Sequence, residues 1–177
     1  MKKGFTMIEL IFVIVILGIL ASVAIPRLAG TRTDAEISAT VANIRTLISD
    51  AASYYAVKGE FAGAKWGDIT NVSIRQGDSR KPVQANTNAT DDVYLAAGGK
   101  NCILVRLRDK GGNIPVAFIQ IAKVDANVNE GICPEILAAA PIQAYLNAEV
   151  PGVPREGNDP GTRPGVIPVS SSISIHE

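Results

Sequence analysis

The chain has 177 residues, 47% of them apolar, with 17 basic and 17 acidic side chains. A formal charge of zero supplies no basic footprint for nucleic acid, and none is expected as a partner. The apolar content and a mean hydropathy of +0.20 exclude an intrinsically disordered chain.

The averages hide an uneven distribution. Between Phe5 and Pro26 the one ionisable side chain is Glu9. As a helix, the apolar run over 5–25 measures roughly 31 Å, close to a hydrocarbon core of about 30 Å, so a membrane-spanning helix is expected. Lys2 and Lys3 precede it, which places the N-terminus in the cytoplasm and the remainder outside. The alternative is a cleaved secretory signal peptide, whose apolar region is typically about 7–15 residues. This run is longer, carries a carboxylate near its start and leads into a charged, helix-patterned segment.

A carboxylate in an apolar layer needs a partner or a functional reason. Glu9 either snorkels to the headgroups or pairs with an amine in an assembly, where a shifted subunit would leave both charges unpaired. Pro26 lacks a backbone N–H and clashes with the carbonyl four residues earlier, so a bend or local loosening of the helix is expected there.

The string Lys3-Gly4-Phe5-Thr6-Met7-Ile8-Glu9, followed by the apolar run and Pro26, resembles the class III signal of type IV pilins and pseudopilins. The resemblance implies cleavage by a prepilin peptidase between Gly4 and Phe5, then N-methylation of the new Phe5 amine. Losing Lys2 and Lys3 would leave 15 basic side chains (17 less 2) against 17 acidic ones. It assigns Glu9 and the Phe5 amine to subunit register, and Pro26 to the bend.

Helical spacing resumes after Pro26. Ile37, Val41, Ile44, Leu47, Ile48, Ala51 and Tyr55 recur at intervals of three and four, with Arg32, Glu36, Arg45 and Asp50 largely off that stripe. The helix is expected to end near Lys58-Gly59.

Residues 59–92 read as a loop, with Phe61 and Trp66 as anchors and a surface contact as the alternative. Strands follow over Val93–Ala97, Asn101–Arg108 and Ile114–Ala122, with a turn at 109–113. Pro115 limits the third strand at its start or puts it at an edge. Pro134 suits the first turn of a short helix over Glu135–Ala140, closed by Pro141. Five prolines and four glycines make Val150–Pro168 an extended connector. Val166–Ile175 is either a last strand or a frayed tail.

Cys102 and Cys133 are the two cysteines. In an exported head they form a candidate disulfide, with two free buried thiols as the alternative. No catalytic motif is present: the lone His176 is terminal, and GxSxG, Walker A and HExxH are absent. No metal and no cofactor are expected; the calcium loop of some pseudopilins does not carry over to Trp66-Gly67-Asp68.

The fold expected is α+β and pilin-like: a long N-terminal helical spine, half transmembrane and half amphipathic, packed on a small antiparallel sheet. Its parts are a leader (1–4), a transmembrane and assembly helix (5–25), an amphipathic helix (26–58) and a globular head (59–177). The resemblance implies a non-enzymatic filament subunit, stored in the bacterial inner membrane with its head periplasmic. Its partners would be copies of itself or related pilins, the prepilin peptidase and an inner-membrane assembly platform. Pilus, type II secretion pseudopilus and DNA-uptake machine remain open. The rival readings are a single-pass anchored binding module that does not polymerise and an exported enzyme with an unrecognised site.

Overall fold

A computed structural model describes residues 5–77, 86–112, 114–151, 153 and 164–169, with the side chains of 24–29 outside that description. The chain divides into two compact units, Met1–Ala35 and Glu36–Glu177.

The first helix, α1, runs Met7–Lys58 and contributes to both units. In the first unit its large apolar side chains face outward: from Phe5 to Val23 they are 41–86% exposed. No helix among the described residues is long and apolar enough to cross a membrane. The spanning helix expected over 5–25 is therefore not found within them. Pro26 lies in the helical span, and its side chain is outside the described residues.

In the second unit the amphipathic stripe becomes a packing face. Val41, Ile44, Leu47, Ala51 and Tyr55 are buried, with Ile37 and Ile48 packed beside them. Each aliphatic side chain so buried contributes about 1.5–3 kcal/mol relative to exposure. The helix stops at Gly59, whose φ of 78° is costly for other residues. Its N–H donates to the Tyr55 carbonyl at 2.8 Å, satisfying one of the last orphan acceptors.

That face meets a four-stranded antiparallel sheet in the order β1-β2-β3-β4. The strands are β1 Val93–Ala97, β2 Lys100–Arg108, β3 Phe118–Lys123 and β4 Val166–Pro168. Alternate residues of β1 and β2 point at α1, among them Val93, Leu95, Ile103, Val105 and Leu107. Gly98 and Gly99, with φ of 54° and 83°, make the two-residue turn between these strands, where both central positions need positive φ. The α+β architecture expected from the sequence is the one the chain adopts.

The third strand starts four residues later than expected. Gly111 and Ile114 exchange two backbone hydrogen bonds in a closed turn, Pro115 has no N–H to give, and pairing begins with Arg108 opposite Phe118. Phe118 and Gln120 are buried as well as Ile119 and Ile121, so this strand is covered on both faces. A second cluster of Phe118, Val153 and Val166 lies there.

Among the described residues three further α-helices follow, α2 Trp66–Ile69, α3 Cys133–Ala138 and α4 Ala140–Leu146, with a 3-10 turn at Asp125–Asn127. Pro141 was expected to close a helix; instead it opens α4 from the first turn, as Pro134 opens α3. The break falls at Ala139, in extended backbone. Of the expected last strand, Val166–Pro168 is present, and 170–177 lie outside the described residues. The loop over 59–92 contains α2, and its two aromatics are buried anchors. Trp66 Nε1 donates to the Asp91 carbonyl at 3.2 Å, and the Phe61 ring lies 5.1 Å from that of Tyr55.

Candidate assembly site at the N-terminal helix

Thr6 stands just before α1 and Glu9 is the third helical residue, a spacing at which the two cap one another. Glu9 Oε2 accepts the Thr6 backbone N–H at 2.8 Å and the Thr6 hydroxyl at 2.7 Å. Thr6 Oγ1 in turn accepts the Glu9 N–H at 3.4 Å. This reciprocal arrangement satisfies amides that the first helical turn leaves without a carbonyl partner. It also fixes the carboxylate: both described bonds fall on Oε2, and Oε1 accepts none among the described residues. Glu9 is thus held at the head of an exposed apolar row with one oxygen open to an approaching cation. The role of Thr6 was missed in reading the sequence, although Thr-x-x-Glu before an apolar run was the signal.

Phe5, adjacent to this cap, is 86% exposed. Gly4, and with it the expected cleavage bond, lies outside the described residues.

In the head, Cys102 of β2 and the first residue of α3, Cys133, form a disulfide with an S–S distance of 2.01 Å and a Cα–Cα distance of 5.2 Å. Both are buried, and no cysteine is free. The bridge links residues 31 apart, a loop whose closure stabilises by about 3–4 kcal/mol in the chain-entropy account. Among the described residues no group of three or more His, Cys, Asp or Glu is placed to hold a metal ion.

A helix with a capped glutamate and an exposed apolar row, continuing into an α+β head closed by a disulfide, defines a pilin-like subunit. Comparison with known proteins agrees. Residues 1–25 match the model of the prokaryotic N-terminal methylation motif. The chain is 35% identical over 107 residues to the type IV narrow pilus major component PilA5 of Thermus thermophilus, covering 55% of this chain and 90% of that one. It is 32% identical to a fimbrial protein of Neisseria meningitidis serogroup A over 118 residues, 63% of this chain and 69% of that one. A serogroup B fimbrial protein is 40% identical over the same shares. No solved structure matches the chain. The chain belongs to the type IV pilin family, a family of structural subunits.

Proposed function

We propose that the chain is the structural subunit of a type IV pilus, made as a precursor, cleaved between Gly4 and Phe5 and N-methylated at Phe5. Before assembly it is anchored in the inner membrane by its N-terminal segment, with Lys2 and Lys3 cytoplasmic and the head periplasmic. The assembly platform then draws it into a helical filament with other pilin subunits. The observation that carries this reading is the apolar row from Phe5 to Val23, exposed throughout and interrupted by the single capped charge of Glu9. Such a row is not tolerated in water, and packing identical copies side by side buries it.

Glu9 supplies register. A mature Phe5 amine on an incoming subunit finds Oε1 of a neighbour at one axial offset, and any other offset leaves two unpaired charges in an apolar bundle. The decisive experiment is N-terminal and intact-mass analysis in cells with an active prepilin peptidase. The mature chain is expected to begin at N-methylated Phe5, and retention of Met1 to Gly4 defeats the proposal. A Glu9→Leu variant is expected to be cleaved yet absent from filaments; normal incorporation removes the register role.

A further inference from the structure

We infer that Asn71 is an acceptor for an N-linked glycan, and that the sugar attached there covers a shallow groove beside it. The inference rests on the export of the head proposed above, not on polymerisation. The sequence holds two Asn-x-Ser/Thr triplets in which x is not proline, Asn71-Val72-Ser73 and Asn88-Ala89-Thr90. That spacing is the acceptor pattern of oligosaccharyl transfer to asparagine in surface loops of exported chains. A triplet alone decides little, but the two stand in different surroundings.

The second triplet is tied down. Asn88 Oδ1 accepts Lys65 Nζ at 2.6 Å, and the two residues pair in an isolated bridge. The buried Ala89 donates its N–H to the Ala64 carbonyl at 2.9 Å, and the Thr90 carbonyl accepts Arg108 Nη1 at 2.9 Å. The first triplet stands open. Asn71 and Ser73 are exposed, and neither side chain makes a hydrogen bond among the described residues. The Val72 N–H donates to Thr70 Oγ1 at 3.1 Å, which holds a bend just past the end of α2. The acceptor amide and the hydroxyl two residues on are thus both presented to solvent.

A second feature lies beside Asn71. A groove of about 600 Å³ is lined chiefly by Asp50, Tyr54, Val57, Lys58, Asp68 and Ile69. Asn71 is two residues past Ile69, at most about 7 Å along the chain. Part of the lining is apolar: Val57 is 81% exposed, and the half-buried Tyr54 ring stacks on Phe61 with centroids 6.3 Å apart. Part is polar, with Asp50 held in place by the Thr70 hydroxyl, which donates to Oδ2 at 2.6 Å. A pyranose presents the same two kinds of surface, an apolar C–H face and a rim of hydroxyls. The first sugar on Asn71 therefore covers Val57 and Tyr54 with its apolar face and meets the carboxylates with its hydroxyls.

The donor is an oligosaccharide carried on a lipid diphosphate, held in the membrane across which the head is exported. The Asn71 amide nitrogen forms a bond to the anomeric carbon as the bond from that carbon to the phosphate oxygen breaks. The lipid diphosphate leaves with the electron pair, and one amide proton passes to the transferase or to solvent. Nothing is oxidised or reduced.

The test takes the full chain from its native cells and reads intact mass and peptide map. The peptide containing Asn71 is expected to be heavier by a whole number of sugar residues. Asn71→Gln and Ser73→Ala should each abolish that increment, and Asn88→Gln should leave it whole. Oxidative footprinting should label Val57 and Tyr54 more slowly in the native chain than in Asn71→Gln. An unmodified Asn71 peptide, or an increment that survives Asn71→Gln, overturns the site; equal labelling overturns the sugar's place in the groove. The same spectra read the N-terminus. A chain cleaved to N-methylated Phe5 with a bare Asn71 overturns the glycan and leaves the filament reading standing. A chain that keeps Met1 to Gly4 yet carries the glycan defeats the filament reading and upholds this one.

Discussion

The Asp109 carboxylate reaches back across 48 residues to accept the backbone N–H of Phe61, at 2.7 Å through Oδ1. Its second oxygen accepts the N–H of Ala62 at 3.0 Å. One side chain at the end of β2 thereby fixes the exit of α1, the place where the spine turns into the head. Hydrogen bonds to a charged acceptor contribute about 1.5–3 kcal/mol. Asp109→Ala is expected to destabilise the head by about that amount in denaturant unfolding, with Asp109→Asn, which keeps one acceptor oxygen, intermediate. Equal stability of all three chains would show that the tie does not hold the junction.

Tyr55 offers the opposite case. Its hydroxyl is buried and has no hydrogen-bond partner among the described residues. Burial pushes the phenol pKa up from its ordinary 10.0, and the Asp109 and Glu60 carboxylates add to the rise. The folded chain thus holds the proton more tightly than the unfolded one. The stability so contributed is complete below pH 10 and is lost as pH climbs through the raised value. Tyr55→Phe is expected to leave the head equally stable or up to about 1 kcal/mol more stable at neutral pH. It should also flatten the decline above pH 10, read as Tm against pH. A clear loss of Tm at pH 7 would mean the hydroxyl is engaged.

Gly165 sits with φ of 74° against the Ile121 carbonyl, and a Cβ there would lie 1.9 Å from that oxygen. The Ile121 N–H donates to the Gly165 carbonyl at 2.7 Å. Gly165→Ala must therefore push β4 off β3, at a cost of about 2–4 kcal/mol. Gly63 has a similar φ of 77° but open space around it, so Gly63→Ala should cost only the backbone strain, about 1–2 kcal/mol. Amide exchange at Ile121 distinguishes them: it should rise in the first variant and not in the second.

Removing the Cys102–Cys133 bridge, by Cys102→Ser with Cys133→Ser, should lower stability by about 3–4 kcal/mol. Chemical denaturation with and without reductant measures the same quantity in the unaltered chain. A drop under 1 kcal/mol would show that the packing of α3 on β2 holds this region unaided.

The parts legible in the sequence were those governed by a period or by glycine. The stripe Ile37 to Tyr55 has one reading, because only a helix brings those positions together. Gly59, Gly98 and Gly99 mark ends and turns by backbone freedom alone. Pro141 reads as closing a helix and instead begins α4, since proline suits a helix's first turn as well as its end, and Ile142 of that helix is buried in the core. The Asp109 tie to Phe61 was invisible, because no local pattern joins residues so far apart in the chain. The Thr6–Glu9 cap is legible in the Thr-x-x-Glu spacing ahead of the apolar run.

Every strand of the sheet is hydrogen-bonded to the strand next to it in the chain, with no crossover. The β1–β2 and β2–β3 hairpins can each close as soon as the second strand is available, onto an α1 that has already been made, whereas β4 returns to β3 only after α3 and α4. Such local topology favours rapid folding. For a chain that emerges N-terminus first, the order of synthesis is also an order in which surface is buried, and the three residues of β4 are the last stitch. Until β4 arrives, the outer edge of β3 is the unpaired one, the kind of edge that invites pairing with another chain.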